Sequence, residues 1–562
     1  MRFNLQYAFC SHGRGILSGL VSKELSTPVP EQEEAIGSFL TGKDLLINAY
    51  AGTGKTTTLE MIARRSRLKG QYLAFNKDIV ASARGRFPDH VKTSTCHSIA
   101  FRSIVGRYNG DQKKLFGRVN VNATADILNL VTRMVVPECI LTGRQQAFLI
   151  CETVKKFCQS SDMEILESHV PLHGIFSSVS EDISRIVAAY AVEGARKLWG
   201  KMISSNDPYP LGHDGYLKLW ALSKPKLYGD YILLDECQDT NKVVLGVLAQ
   251  QKTQMVYVGD RYQQIYEWRG AVNAMETIQC ELSSHLTSSF RFGSGLADYA
   301  SKILMHLGES RGLKGAAKHD TRLTRLHRGT ILARTNAMVI VSALDALNRG
   351  QKAHIVGGNG EMLEMLRSVQ GLREGVPSLY PDFFGFSCWD DVREFSSCPE
   401  GEHLKMFVSL VDKQGEKNLM AGLGRTVHEN ESDLIVSTAH KSKGCEWDNV
   451  IIEHDFLKER PQEKKKKKGA SKPKPEISAS ELRLFYVAVT RAKKNIDIPD
   501  HYKVLLESDP LVLSDSLSDA REDKQKGGNI LPFSRGARLN KLGGGEDLSL
   551  PLLAQAENNR YF

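Results

Sequence analysis

The residues Ala49-Tyr50-Ala51-Gly52-Thr53-Gly54-Lys55-Thr56 carry groups suited to holding a polyphosphate. Glycine at positions 52 and 54 lets backbone N–H groups approach phosphate oxygens closely. Lys55 supplies a point charge for β and γ phosphates, and Thr56, followed by Thr57, offers a hydroxyl to Mg²⁺. Position 49 holds Ala where the general phosphate-loop pattern has Gly, and Ala is still small. Downstream stands Asp235-Glu236-Cys237-Gln238-Asp239. Asp235 is placed to hold Mg²⁺ through water, and Glu236 to polarise an attacking water as general base. Taken alone this acidic stretch could be a solvated turn; the phosphate loop upstream argues for the metal.

Such groups need strands behind them. Short apolar runs precede each one: Leu45–Asn48 before the glycines and Tyr231–Leu234 before Asp235. Tyr72–Phe75 and Met255–Val258 belong to the same set. A second set comprises Thr330–Ala333, Leu434–Ser437 and Val450–Ile452. Runs of this length, separated by helical stretches, indicate buried parallel strands, and two sets indicate two α/β lobes. A carboxylate at a strand's C-terminal end then faces the crevice where such sheets bind ligands. Helical patterns cover Thr124–Val135, Arg144–Phe157 and Glu481–Lys494.

The chain has 562 residues, enough for several domains, and 41% hydrophobic with 25% charged content fits a soluble globular protein. Long apolar runs are absent, so no membrane span is expected, and Met1–Leu25 does not read as a signal peptide. Ten scattered cysteines read as reduced thiols. Cys388, Cys398 and His403 are possible metal ligands, but their spacing is loose and no fourth ligand is evident. The net charge of +9 suits a polyanionic partner. Lys464–Lys468 lies in a charged loop, read as a grip on duplex or filament-bound DNA, a solvated linker or a nuclear-targeting signal. From about Ser508 to Phe562 the composition predicts a largely disordered tail.

Further constellations fall at the ends of the predicted strands. They are Val258 to Gly270, Leu286-Thr287-Ser288-Ser289-Phe290-Arg291-Phe292, Ser437 to Trp447, and Glu481 to Ala492. With the phosphate loop and the acidic stretch, this ordered set resembles the superfamily one, UvrD/Rep-type helicases from Gln32 to Lys493, about four-fifths of the chain. Ala74-Phe75-Asn76-Lys77, Thr95-Cys96-His97-Ser98 and Tyr486 to Lys494 are similar to the F-box DNA helicase subgroup, although no F-box is recognised ahead of Gln32.

The resemblance implies two RecA-like parallel-sheet lobes clasping ATP and Mg²⁺, with Thr56 and Asp235 as the metal's protein ligands. It implies that Gln32 reads the adenine edge, Phe290 stacks on adenine and Glu446 lies near the ribose. Gln263 would sense the γ-phosphate, and Arg291 and Arg491 would reach it from the second lobe to stabilise developing charge. Phe75, Asn76, Lys77, His97, Tyr266, Trp268, Arg269 and His440 would line the track for single-stranded DNA. Trp268 is the foremost stacking candidate there, while Asn76 and Lys77 would hold phosphates.

The first lobe is expected over 1–101 and 229–284, with a helical insert at 102–228. The second is expected over 285–340 and 430–505, with a small insert at 341–429 that includes Phe383, Phe384, Phe386 and Trp389. Larger family members carry a bigger insert there, so no duplex-binding or autoinhibitory role is carried over. The implied activity is translocation along single strands, 3′ to 5′, unwinding duplex or stripping protein such as recombinase filaments, in repair or recombination. RNA as the track, a DNA scaffold switched by ATP and a helicase–nuclease are the alternatives; the intact pocket argues against the scaffold and the tail lacks a nuclease-like acidic cluster. The expected location is the cytoplasm or nucleoid of a bacterium, or a nucleus.

Overall fold

Strands that carry apolar residues on both faces can persist only where helices cover both faces. In a computed structural model of the chain, each of the seven apolar runs named above meets a strand. The structure describes residues 27–458 and 476–507, except 118, 138, 173–179, 267–272, 319, 377, 379, 384–385, 387 and 399–400. Residues 512–513 and 533–534 are also described. Trp268, Arg269, Phe384, Lys464–Lys468, the first 26 residues and most of the tail lie outside the described residues.

The first sheet contains β1 (Leu45–Ala49), β2 (Gly70–Leu73), β3 (Val91–Ser94), β4 (Tyr231–Leu234), β5 (Gln254–Gly259) and β6 (Leu282–Leu286). All pairings are parallel, in the order β3-β2-β4-β5-β1-β6. The second sheet contains β7 (Arg322–Leu323), β8 (Thr330–Ala333), β9 (Ala353–Ile355), β10 (Leu434–Thr438), β11 (Trp447–Ile452) and β12 (Ala492–Asp497). It too is parallel throughout, in the order β7-β12-β11-β8-β10-β9. This is the two-sheet α/β architecture expected from the sequence. Strand β2 ends at Leu73, two residues before the end of its apolar run, so Phe75 stands beyond the sheet and is exposed.

Two helical expectations are corrected. Thr124–Val135 is not one helix: the helix Val121–Ile127 stops, Asn129 turns into the left-handed region at φ 49°, and Arg133–Val136 pairs antiparallel with Cys139–Thr142. The β-branched Val131, Thr132, Val135 and Val136 favour that extended form. The helix expected over Glu481–Lys494 runs from Ala479 to Val489 and is capped at Thr490. Arg491 therefore lies in the turn before β12, where its side chain is free to fold back on the helix end. The tail is not wholly without structure: Val512–Leu513 pairs with Glu476–Ile477, and Phe533–Ser534 with Ile278–Gln279.

Between β3 and β4 the helices Gly143–Gln159, Glu181–Ile203 and Gly212–Leu222 share one apolar core that includes Phe157, Leu198 and Trp220. Two buried lysines close their ends. Lys114 Nζ donates to the carbonyls of Lys201, Asp207 and Tyr209 at 3.0, 2.8 and 2.6 Å. Lys218 Nζ donates to those of Ser160 and Asp162 at 2.8 and 2.6 Å. A cation at a helix C-terminus meets the negative end of the dipole and satisfies orphan carbonyls. Between β9 and β10, Phe383, Trp389 and Phe407 form the centre of a small helical core, with Trp389 Nε1 donating to Asp412 at 2.9 Å. No helix among the described residues is long and apolar enough to cross a membrane.

Replacing Lys114 by Met leaves three carbonyls, the buried one of Tyr209 among them, without that donor. The expected cost is about 3 kcal/mol, read as a fall in melting temperature of roughly 5 °C or more. A thermal melt of Lys114→Met superimposable on that of the unaltered protein would show that the lysine does not close these helix ends.

Candidate functional site

The loop after β1 turns sharply because Gly52 and Gly54 both adopt positive φ, 75° and 79°. The helix Lys55–Arg65 starts immediately afterwards, which aims its N-terminal N–H groups at the loop. Ala49, Tyr50 and Ala51 are buried beneath, and Thr53 donates its hydroxyl to the Tyr50 carbonyl at 2.9 Å. Thr57, in the first turn of that helix, accepts from Arg86 at 3.3 Å.

Asp235 follows β4 and is 1% exposed. Its Oδ2 accepts from the Thr56 hydroxyl at 2.6 Å and the Tyr72 hydroxyl at 2.7 Å. Burial, reinforced by the neighbouring Glu236, pushes the Asp235 carboxyl above the usual carboxylate range. A buried carboxylate beside a hydroxyl is an all-oxygen donor set, and a hard cation that completes its sphere with water and phosphate suits it. Thr56 and Asp235 thus fit Mg²⁺ as the sequence implies.

Glu236 is held in the left-handed region at φ 51°, unusual for a residue with a side chain. Its carboxylate lies 3.7 Å from Lys55 Nζ and accepts from Gln238 Nε2 at 2.6 Å. Burial alone would raise the Glu236 pKa, but Lys55, then Lys443, Gln238 and Arg491, outweigh it, so the carboxyl stays below its ordinary value and ionised.

Two arginines come to the same place, Arg491 from the turn before β12 and Arg291 from just after the short Ser288–Ser289 strand. Arg491 is 2% exposed. It donates to the Val487 carbonyl at 2.8 Å and to Gln263 Oε1 at 3.2 Å. Burial pushes its guanidinium down to about 9, with the nearby Arg291 adding to the effect. The Gln263 amide in turn donates to Asp260 at 2.7 Å. Arg291 donates to Glu446 at 2.8 Å and to the Thr490 carbonyl at 3.0 Å. Glu446, implied by the resemblance to lie near a ribose, is therefore paired with the arginine.

Gln32 is buried, with its Nε2 donating to Thr58 at 3.1 Å. A Cβ placed on Gly54 would lie 3.4 Å from Gln32 Nε2 and 3.7 Å from the Phe290 ring, so these three residues converge at the helix start. Phe290 is exposed and its N–H donates to the Gly52 carbonyl at 2.8 Å.

Of the residues expected on the strand side, Phe75 and Tyr266 face each other, ring centroids 6.0 Å apart and planes 10° from parallel. The Tyr266 hydroxyl donates to the His440 carbonyl at 3.3 Å, linking the two lobes there. Lys77 is exposed at the head of its helix. Asn76 caps that helix, its side-chain oxygen accepting from Ile79 at 2.8 Å, so that oxygen is engaged locally. His97 sits edge-on to Tyr216, 6.2 Å away, and burial holds its imidazole below the ordinary value.

The sequence reading passed over three groups that the fold brings in. Tyr486 reaches from the Ala479–Val489 helix to accept from the Ala51 N–H at 3.1 Å and donate to Asp260 at 3.3 Å. Lys443 Nζ lies 2.6 Å from Asp239. His213 and Tyr216, 5.6 Å apart, extend the aromatic neighbourhood of His97. Tyr486 and Lys443 stand within motifs already singled out, yet only their partners across the crevice mark them; a helical aromatic and a loop lysine carry no such signal alone.

The crevice leaves little room at Gly52. A Cβ there would come 2.5 Å from Ser289 Oγ and 2.7 Å from Arg291 Cβ, at a φ that side chains rarely adopt. Gly52→Ala is expected to weaken binding of a fluorescent ATP analogue about tenfold or more. Unchanged affinity in a titration would show that the two sides need not meet at Gly52.

Comparison with known proteins agrees with the two-sheet fold. Residues 29–279 match the UvrD/REP helicase N-terminal domain, and residues 394–500 the UvrD-like helicase C-terminal domain. F-box DNA helicase 1 of Gallus gallus is 31% identical over 492 residues, covering 81% of this chain and 47% of that protein. F-box DNA helicase protein 1 of Schizosaccharomyces pombe is 29% identical over 506 residues, covering 82% of this chain and 56% of that protein. A protein of Mycoplasma pneumoniae named as a probable DNA helicase is 26% identical over 274 residues, covering 47% of this chain and 42% of that protein. The chain spans about half the length of the F-box relatives it matches. With both domain models matched in order, and with the motifs of each meeting across one crevice, the chain belongs to the UvrD/Rep-type helicase family.

Proposed function

We propose that this protein is an ATP-driven motor that translocates along single-stranded DNA, 3′ to 5′, separating duplex or displacing bound protein. The observation that carries this reading is the meeting of Lys55 and Glu236, behind the first sheet's strands, with Arg491 from the second through Gln263. A pocket completed only by two lobes converts nucleotide binding into closure and hydrolysis into release.

Within the pocket, Lys55 holds the β and γ phosphates and ionised Glu236 takes a proton from the attacking water. Arg291 and Arg491 stabilise the charge that develops on the transferring phosphoryl group. Thr56 and Asp235 would hold Mg²⁺, which would supply positive charge against the phosphates. Gln263, whose amide donates to Asp260 and accepts from Arg491, senses the γ-phosphate. Gln32 and Phe290 receive the adenine at the start of the Lys55 helix, and Glu446 releases Arg291 as the ribose enters.

Strand binding is proposed along Phe75, Asn76, Lys77, His97, Tyr266 and His440, with Trp268 and Arg269 as further members and His213 as an extension. Aromatic faces at strand ends stack bases without reading sequence, which suits a motor. The division into lobes over 1–101 with 229–284 and 285–340 with 430–505, and inserts over 102–228 and 341–429, belongs to the same reading. A role in repair or recombination, including removal of recombinase filaments, is the setting we infer. RNA remains the second candidate track, because stacking and phosphate contacts do not require a deoxyribose.

Hydrolysis measured with equal lengths of single-stranded DNA and RNA is expected to rise with DNA; no rise with either sinks the motor. Lys55→Ala is expected to abolish turnover. Glu236→Gln is expected to bind ATP while hydrolysing it at least 100-fold more slowly; a variant keeping most of its activity removes Glu236 as the base. On partial duplexes, displacement should require a 3′ single-stranded tail, and displacement from 5′ tails alone would reverse the assigned direction.

A further inference from the structure

Lys443 belongs to the loop that follows β10, three residues after His440. Its ammonium reaches across the crevice to two oxygens of the first lobe. It donates to Asp239 Oδ2 at 2.6 Å and to the backbone carbonyl of Gln263 at 2.5 Å. The side chains of the pair are 10% and 1% exposed. The same ammonium lies 5.2 Å from the centroid of the Tyr266 ring, within cation–π range. Tyr266 faces Phe75 on one side and donates to the His440 carbonyl.

Gln263 is thereby held at three points. Its amide nitrogen goes to Asp260, its amide oxygen takes Arg491, and its backbone carbonyl takes Lys443. The last two donors come from the second lobe. The route from γ-phosphate pocket to base-stacking ring is then Arg491, Gln263, Lys443, Tyr266, with contact at each step. A buried ion pair is a poor device for stability, because desolvation consumes most of its Coulomb attraction. It is well suited to a part with two arrangements, because losing either partner leaves a charge stranded.

We propose that Lys443 is the positioning residue that couples the nucleotide pocket to the strand track. Movement of Gln263 with the nucleotide shifts the ammonium under Tyr266, and a base on Tyr266 shifts it back against Gln263 and Asp239. This rests on the motor reading. Coupling of this kind is reciprocal, so nucleotide changes strand affinity and strand changes nucleotide affinity by one factor.

The test measures binding of fluorescent oligo-dT with and without a non-hydrolysable ATP analogue. In the unaltered protein the analogue should change strand affinity on the order of tenfold, and oligo-dT should change analogue affinity equally. In Lys443→Met, and in Asp239→Asn, which keeps the shape and removes the charge, the ratio should fall towards one. Lys443→Arg should restore part of it. Thermal melts identify which variants are folded. A ratio retained in either folded charge-removing variant overturns the assignment of Lys443 and leaves the motor reading intact. A ratio of one in the unaltered protein, with no DNA-stimulated hydrolysis, overturns the motor reading itself.

Discussion

One buried amide organises the crevice. Gln263 cannot lose a partner cheaply, because a polar group shut away from water must have its donors and acceptors met. Its nitrogen is fixed by Asp260 in its own lobe, which turns its oxygen toward Arg491 of the other. Asp260 is fixed in turn by the Tyr262 N–H at 3.0 Å and by Tyr486. The two lobes therefore meet through a connected polar network, and a change at one member must be answered by its neighbours. Two stacked apolar faces would hold the lobes together as well but would convey nothing about what lies between them.

The charges around that amide are poised for a ligand. Lys55, Lys443 and Arg491 stand against Asp235, Glu236, Asp239 and Asp260, most of them buried. Burial drives the acids and the arginine in opposite directions: Asp239 up to about 6, Arg491 down to about 9. Both shifts are toward the neutral form, the signature of ionisable groups held where water is scarce. A polyphosphate with its cation supplies both signs of charge at once and would return these groups toward their ionised forms. Strongly perturbed groups of this kind gather where chemistry is done.

The residues proposed for the strand side are arranged by the same packing. Phe75 is exposed because β2 stops short of it, and Tyr266 meets it from the segment that also carries Gln263. Gln263 and Tyr266 are only three residues apart in the chain, so a shift of one is felt at the other. The helical insert adds His213 and Tyr216 beside His97 from about a hundred residues further along the chain.

Much of this was legible in the residues alone. The phosphate loop, the acidic stretch after β4 and the apolar runs that form the central strands are local patterns, and local patterns survive without knowledge of the fold. The strands β3, β6, β7, β9 and β12 were not legible, since none of them carries a continuous apolar run and each takes its form from a neighbour in the sheet. The Ala479–Val489 helix was read too long because nothing nearby announces that Thr490 caps it and Arg491 folds back. Sequence by itself determined which groups could hold phosphate, activate water and stack a base. Only the tertiary structure decided that Tyr486 closes on Ala51, Lys443 on Asp239 and Arg491 on Gln263, because each pair joins residues some 200 to 435 positions apart. No spacing rule reaches that far; the pairing is set by how two sheets pack across one crevice.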